Sequence, residues 1–169
     1  PTHPVLAADL PGHTRPVVSV AFSPDGQLLA TADGQLRLWD LGEDHRFLGP
    51  LGSATSVVFV DDLLLLAVDR GGIVHTIEIR NPDPDHVSWA TSTRPLDGAV
   101  GNAGPLMFSP DGRIVAGSGA DGTIRLWETW TGQPLGEPLP TPGGESTALA
   151  FSPDSALITV GDQGGTVAT

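Results

Sequence analysis

A segment that begins at Phe22, FSPDGQLLATADGQLRLWD, returns along the chain at a constant interval. Phe108 opens a near copy, FSPDGRIVAGSGADGTIRLWE, and Phe151 opens a partial copy, FSPDSALITVGDQGGTVAT. The first two copies lie 86 residues apart and the last two 43, so a further copy is expected halfway. The segment VVFVDDLLLLAVDRGGIVHTIEI, with Phe59, fills that place in altered form. A period of about 40–45 residues indicates an array in which each repeat supplies one supersecondary unit.

Each repeat divides into short apolar runs that are separated by turn residues. Ser23-Pro24-Asp25-Gly26 has turn chemistry, because proline presets φ at the first corner and glycine accepts a positive φ. Asp33-Gly34 is a tight hairpin turn. We therefore predict an all-β chain with four antiparallel strands per repeat. The predicted units are about 11–49, 50–97, 98–139 and an incomplete 140–169, with a surplus outer strand at 4–10.

Composition excludes several classes of partner and site. Acidic residues outnumber basic ones 20 to 8, giving a net charge of −12, so nucleic acid and anionic membranes are poor partners. The absence of cysteine excludes disulfides and thiolate metal sites. The longest apolar run, Leu63–Val68, is too short to cross a membrane. No signal-peptide pattern opens the sequence, and we expect a cytoplasmic protein. All eight basic residues are arginine, which suggests a bacterial source.

Several motifs resemble those of the WD-repeat β-propellers. They are Gly12-His13, the Asp-Gly turns at 33–34 and 121–122, and the strand endings LRLWD (36–40) and IRLWE (124–128). The resemblance covers nearly the whole chain and recurs in register. It implies a ring of four-stranded blades that serves as a platform for protein partners. It also implies that each repeat begins with the outermost strand of the preceding blade, which accounts for the strand at 4–10.

The resemblance further implies a buried structural tetrad that links turn to strand. Its members in the first unit are His13, Thr31, Asp33 and Trp39. The other units depart from this pattern, and blades without the full network are expected to rely on apolar packing. The third unit keeps Asp121 and Trp127 but has Ala99 and Gly117 at the His and Ser places, and the fourth has Gly164 at the Asp place.

Three residues are candidates for binding a protein or peptide partner. Arg15 and Arg70 lie beside loops that, by the resemblance, rim the docking face, although each also fits a plain surface charge. Trp130 follows the third strand of its unit, where it is either an exposed interface anchor or a cover for the edge of the neighbouring blade. No residue set has the spacing of a catalytic or cofactor site, and we expect neither activity nor cofactor.

One acidic loop has the opening spacing of a calcium site. Asn81, Asp83 and Asp85 alternate as calcium ligands do, but His86 and Ser92 stand where the loop needs glycine and a bidentate glutamate. A solvated loop is therefore the better interpretation, and no metal site is predicted.

The repeat count leaves the closure of the ring open. With about four blades, the chain is a piece of a longer propeller, a half-propeller that a second copy completes to eight blades, or a strained four-bladed monomer. We expect completion by association, with a homodimer as the simplest form. The predicted function is a non-catalytic interaction scaffold or sensor module of a larger bacterial signalling protein. The alternatives are an assembly module with open blade edges and a metal-binding propeller enzyme.

Overall fold

The computed structural model describes residues 9–42, 46–81, 88–99, 102–141 and 146–169. These residues form antiparallel sheets, each built from strands that are consecutive in the chain. We call the sheets blades 1 to 4. The predicted all-β propeller architecture with four blades is confirmed. The surplus strand predicted at 4–10 lies mostly outside the described residues, and Asp9 and Leu10 belong to no strand.

Blades 1 and 2 are four-stranded and have the same strand order. Blade 1 consists of β1 (Ser19–Phe22), β2 (Leu28–Ala32), β3 (Leu36–Asp40) and β4 (Phe47–Gly52). Blade 2 consists of β5 (Ser56–Phe59), β6 (Leu64–Val68), β7 (Ile73–Asn81) and β8 (Ser88–Pro95).

The last described strand of blade 3 and that of blade 4 are each only two residues long. Blade 3 consists of β9 (Asn102–Phe108), β10 (Ile114–Gly119), β11 (Thr123–Glu128) and β12 (Leu139–Pro140). Blade 4 has three described strands, β13 (Ser146–Phe151), β14 (Ile158–Asp162) and β15 (Val167–Ala168). The strand β12 is short because the segment around it contains Pro134, Pro138 and Pro140, which cannot donate to a ladder.

The core lies between the blades. One cluster joins blades 1 and 2 and includes Leu36, Leu38, Leu65 and Ile77, each at most 1% exposed. A second cluster joins blades 2 and 3 around Trp127, which is fully buried. Because strand side chains alternate between faces, each middle blade presents one apolar set to the blade before it and another to the blade after it.

The turn between the first two strands of a blade has the same hydrogen bonds in three of the four repeats. In blade 1 the Ser23 hydroxyl donates to Asp25 at 2.6 Å and accepts the Leu28 amide at 2.8 Å. The Asp25 carboxylate also accepts the Gln27 amide at 3.0 Å. The serine hydrogen bond is the main reason that the pKa of this aspartate lies below its ordinary value. The same arrangement and pKa direction recur at Asp111 and Asp154.

These turns also contact the neighbouring blade. The Asp25 amide donates to the Asp62 carboxylate of blade 2 at 2.8 Å. At the matching turn of blade 3, Gly112 has a φ of 70°. A Cβ at this glycine would lie 2.7 Å from Val60 and 3.1 Å from Leu66, both in blade 2. Glycine is therefore required here both for its backbone conformation and for the close approach of two blades.

We predict that Gly112→Ala destabilises the fold more than Gly136→Ala does. Gly136 has nearly the same φ, 72°, but no described atom lies within 4 Å of its Cβ position. Both variants incur the left-handed backbone cost of about 1–2 kcal/mol. Only Gly112→Ala also forces blades 2 and 3 apart. Urea unfolding followed by circular dichroism measures the difference, and equal midpoints for the two variants would contradict the contact.

Candidate functional site

The tetrad residues of blade 1 form one continuous hydrogen-bond network. The Trp39 indole donates to the Thr31 hydroxyl at 2.9 Å, and that hydroxyl lies 2.8 Å from His13 Nε2. On its other side, His13 Nδ1 lies 3.0 Å from Asp33 Oδ2. In the tautomer that fits this chain, Thr31 donates to Nε2 and Nδ1–H donates to Asp33. The Arg37 guanidinium nitrogen, 2.8 Å from Nδ1, then donates to Asp33 and not to the imidazole. The network therefore ties the segment before β1 to β2 and β3.

The carboxylate at the end of this network is buried and strongly hydrogen-bonded. The Asp33 side chain is 2% exposed. Besides His13, it accepts from the Gln35 amide at 3.0 Å and from the Arg37 guanidinium at 2.9 Å. Burial alone would raise the pKa of Asp33, but these donors and the Arg37 charge outweigh it and hold the pKa well below its ordinary value of 3.8.

Blades 2 and 3 pair the same strand position with a turn carboxylate. Strand register makes Arg37, His75 and Arg125 equivalent, since they lie opposite Thr31, Ala67 and Gly117 respectively. His75 lies 3.4 Å from Asp69 in blade 2, and Arg125 lies 2.6 Å from Asp121 in blade 3. Sequence reasoning did not predict that a basic side chain pairs with the turn carboxylate. The sequence pattern that indicates it is a basic residue two places before the tryptophan position.

In blade 3 the predicted pair Asp121 and Trp127 does not form a tetrad. The Asp121 side chain is 51% exposed, and hydrogen bonds from Thr123 and Arg125 lower its pKa to about 2. Because Gly117 offers no hydroxyl, the Trp127 indole donates instead to the Asp97 carbonyl at 2.7 Å. The two residues therefore stabilise separate parts of the blade.

In blades 2 and 4 the turn carboxylate precedes a glycine pair. Asp69 accepts the Ile73 amide at 3.0 Å, and Asp162 accepts the Thr166 amide at 2.9 Å. The alignment that put Gly164 at the Asp place of blade 4 thus overlooked Asp162, two residues earlier. The shared pattern Asp-x-Gly-Gly in both turns is the sequence signal that identifies this role.

A cleft of about 500 Å³ opens between the hairpin ends of blades 1 and 2. Arg15 and Arg70 both line it, so the structure brings these two candidate partner-binding residues together. The remaining lining is mixed, with Pro16, Val18 and Ala54 as apolar groups and Ser53 and Thr55 as hydroxyls. Trp130 does not line this cleft; it lies in the turn between β11 and β12 and is 40% exposed.

The carboxylates that line the cleft have partners within the protein, whereas its two arginines form no ion pair with described residues. Asp33 and Asp69 both line it, but their carboxylates are bound to turn amides and to basic partners within their own blades. Among the described residues, Arg15 and Arg70 form no ion pair, whereas Arg37, Arg80, Arg113 and Arg125 each contact a carboxylate. The cleft therefore offers two unpaired guanidinium groups beside an apolar floor.

Other kinds of site find no support in the described part of the chain. It contains no group of three or more His, Asp or Glu side chains arranged to hold a metal ion. It also contains no helix long and apolar enough to span a membrane. The acidic loop considered for calcium, at Asp83 and Asp85, lies outside the described residues.

Comparison with known proteins gives consistent matches. Residues 5–40 and 103–128 match the model of the WD domain, G-beta repeat. A WD repeat-containing protein of Synechocystis is 29% identical over 93% of this chain and 44% of its own length. The chain thus spans less than half the length of the curated relatives it matches.

Two solved structures share the fold. The β-propeller domain of Cps50 (Swd1) from Myceliophteria thermophila aligns with a TM-score of 0.67 at 15% identity, over 93% of this chain and 52% of that one. The computationally designed Ika4 protein aligns with a TM-score of 0.62 at 26% identity, over 95% of this chain and 93% of that one. At 15% identity, the likeness to the Cps50 domain shows only that the two proteins share a fold.

We predict that Asp33→Asn costs about 3 kcal/mol of unfolding free energy, because it leaves the Arg37 charge buried without its counterion. Asp121→Asn is the matched control, since it removes the equivalent carboxylate from a solvated pair. We expect a much smaller loss from the control. Urea unfolding at neutral pH measures both, and equal losses would contradict the structural role of the buried pair.

We also predict that the difference in unfolding free energy between wild type and Asp33→Asn depends on pH. The pKa of Asp33 is lower in the folded chain than the ordinary value of 3.8. Its stabilising contribution is therefore fully present above that value and is lost as the pH falls toward the folded pKa. The difference in unfolding free energy between wild type and Asp33→Asn should narrow below about pH 4. A difference that stays constant down to about pH 2 would contradict ionisation of Asp33 as its source.

Proposed function

Because this chain is a WD-repeat β-propeller protein, we propose that it is a non-catalytic scaffold whose cleft between blades 1 and 2 binds an acidic segment of a protein partner. Propellers of this family generally mediate protein–protein interactions. A role within a larger bacterial signalling protein, and a cytoplasmic location, belong to the same proposal. The observation that carries it is the pair of unpaired arginines in one cleft.

The charge balance of the chain makes these arginines distinctive. In a protein with a net charge of −12, four of the eight arginines contact a carboxylate within the described part of the chain. Two cations that remain available in the same cleft attract a carboxylate ligand and bind it through charge-assisted hydrogen bonds. Arginine is also enriched among the residues that dominate protein interfaces.

The rest of the lining defines the kind of ligand. Pro16 and Val18 provide apolar surface in the same cleft as the two cations, and Val18 is 59% exposed. Ser53 and Thr55 add hydroxyl groups, which donate to Asp69 and to the Val68 carbonyl and leave their oxygens able to accept from a peptide amide. An extended segment that carries Asp or Glu together with an aliphatic side chain fits this combination.

Trp130 remains a candidate for a second contact. It is exposed in the β11–β12 turn, outside the cleft lining, so a partner that reaches it does so by a separate surface. Substitution of Trp130 is therefore expected to leave binding of a short cleft peptide unchanged.

We predict that fluorescent peptides that alternate Glu with Leu bind more tightly than matched peptides with Lys in place of Glu. Arg15→Glu and Arg70→Glu should each weaken binding of the acidic peptide by at least about tenfold, or 1.4 kcal/mol. Arg113→Glu is the control, because it makes the same charge change at a side chain that is 79% exposed and outside the cleft. Fluorescence polarisation at fixed ionic strength measures all three.

Two outcomes would refute the proposed site. Equal weakening by Arg113→Glu would show that only net charge matters. Tighter binding of the lysine peptide would show that the acidic surface dominates and that the cleft does not select carboxylates.

A further inference from the structure

The outer strand of blade 2, β8, is the longest outer strand in the described part of the chain. It pairs with β7 at every position from Ser88 to Pro95 and lies at the edge of its sheet. Blade 2 packs between blades 1 and 3, so this edge belongs to the outer rim and not to the faces on which the blades meet. Residues 91–95 are all exposed.

Backbone hydrogen bonds show which groups of β8 point outward. The Leu96 amide, just after β8, donates to the Gly72 carbonyl at 2.8 Å, so by alternation residues 90, 92 and 94 face β7. The intervening positions of β7 bond in the opposite direction, toward β6 and its flanking turns. The N–H and C=O groups that point away from β7, and that no described residue binds, are therefore those of Trp89, Thr91 and Thr93.

The outer strands of blades 1 and 3 have features that keep a sheet edge from accepting another strand. β4 contains Gly49 and Pro50, and its register with β3 shifts twice. β12 is only two residues long and lies in a proline-rich segment. Short length, bulges and proline each protect an edge. By contrast, β8 keeps an unbroken register from Trp89 to Pro95, and its only proline is its last residue.

Blade 3 closes one end of the β8 edge. The Asp97 amide donates to the Gly132 carbonyl at 2.8 Å. A Cβ at Gly132 would collide with the Pro95 carbonyl and would lie 3.3 Å from the Arg94 side chain. The part of the edge that is open to another strand therefore ends at Thr93.

We propose that the β8 edges of two copies of this chain pair antiparallel about a two-fold axis at Thr91, which joins their second blades into one continuous sheet. Thr91 then opposes Thr91 of the second copy, and Trp89 opposes Thr93. All three outward residues exchange both of their backbone hydrogen bonds in this register. Every other antiparallel register opposes at least one of them with Pro95, which has no N–H, or with a residue outside β8.

The side chains of β8 are compatible with this self-pairing. Thr93 opposes Trp89, and pairs of a β-branched with an aromatic residue stabilise neighbouring strands. On the other face Ala90 opposes Ser92. Arg94, the one charged residue of the strand, opposes Ser88, so no like charges meet across the axis. The strand is thus self-complementary, as a two-fold interface requires.

The mass of the chain in solution at increasing concentration is the first test. Light scattering over about 10–500 μM should show the average mass rising from 17.4 kDa toward twice that value. The rise is gradual because one strand from each copy makes a small interface, and small interfaces are transient. Added salt should leave the rise unchanged, since the bonds join uncharged backbone groups.

The variant Thr91→Pro tests whether the backbone makes the contact. Proline removes the N–H at the two-fold axis, and the ladder with β7 does not use this N–H, so blade 2 keeps its own bonds. The variant should remain at 17.4 kDa at every concentration, with the circular dichroism spectrum of wild type. Thr91→Val is the matched control: it keeps the N–H, and its mass should rise as that of wild type does.

Engineered cysteines test the register and decide the matter alone if Thr91→Pro fails to fold. The chain has no cysteine of its own. Thr91→Cys places two thiols directly opposite each other with about 5.5 Å between Cα atoms, so mild oxidation should give a covalent dimer. Thr93→Cys is the control, because this residue is also exposed, but its two copies lie about 13 Å apart along the paired strands and should not cross-link.

Several results would overturn the self-pairing. A constant mass of 17.4 kDa would leave the β8 edge to a strand of a different protein. Growth beyond twice that mass would show contact through another surface. A Thr91→Pro variant that still dimerises, or equal cross-linking of Thr91→Cys and Thr93→Cys, would exclude the register about Thr91.

Discussion

Face-to-face packing of neighbouring blades is the interaction on which the rest of this structure depends. Hydrogen bonds within a four-stranded sheet satisfy its backbone, but they leave two apolar faces that the sheet cannot cover by itself. Leu36, Leu65 and Ile77 are buried only because blades 1 and 2 meet. Burial of each such side chain contributes about 1.5–3 kcal/mol, which makes the contact between blades the main source of stability.

The same packing positions the functional groups. Arg15 belongs to the segment before β1, and Arg70 to the hairpin of blade 2, so they share a cleft only because the two blades are fixed side by side. The His13–Asp33 network adds local rigidity, since it ties the segment that leads into β1 to the strands behind it. A binding surface on short loops thus gains its geometry from the sheets that carry those loops.

The interval between the FSPD segments was sufficient to predict the strands and blades, because hairpin turns are encoded locally by Pro, Asp and Gly. Cross-strand partners were harder to predict. The pairing of Arg37, His75 and Arg125 with turn carboxylates depends on strand register, and Asp162 was missed because hairpin lengths differ between repeats. The sequence drew attention to Arg15 and Arg70, but only the structure shows which carboxylates are already neutralised.

The hairpins of blades 1 and 3 contain the same acid–base pair in two different dielectric settings. Asp33 and Arg37 are shielded from water, whereas Asp121 and Arg125 are in contact with it. Mobile ions therefore weaken the second pair far more than the first. Rising ionic strength should therefore loosen the hairpin of blade 3 before that of blade 1, so that added salt widens the difference in local stability between the two blades.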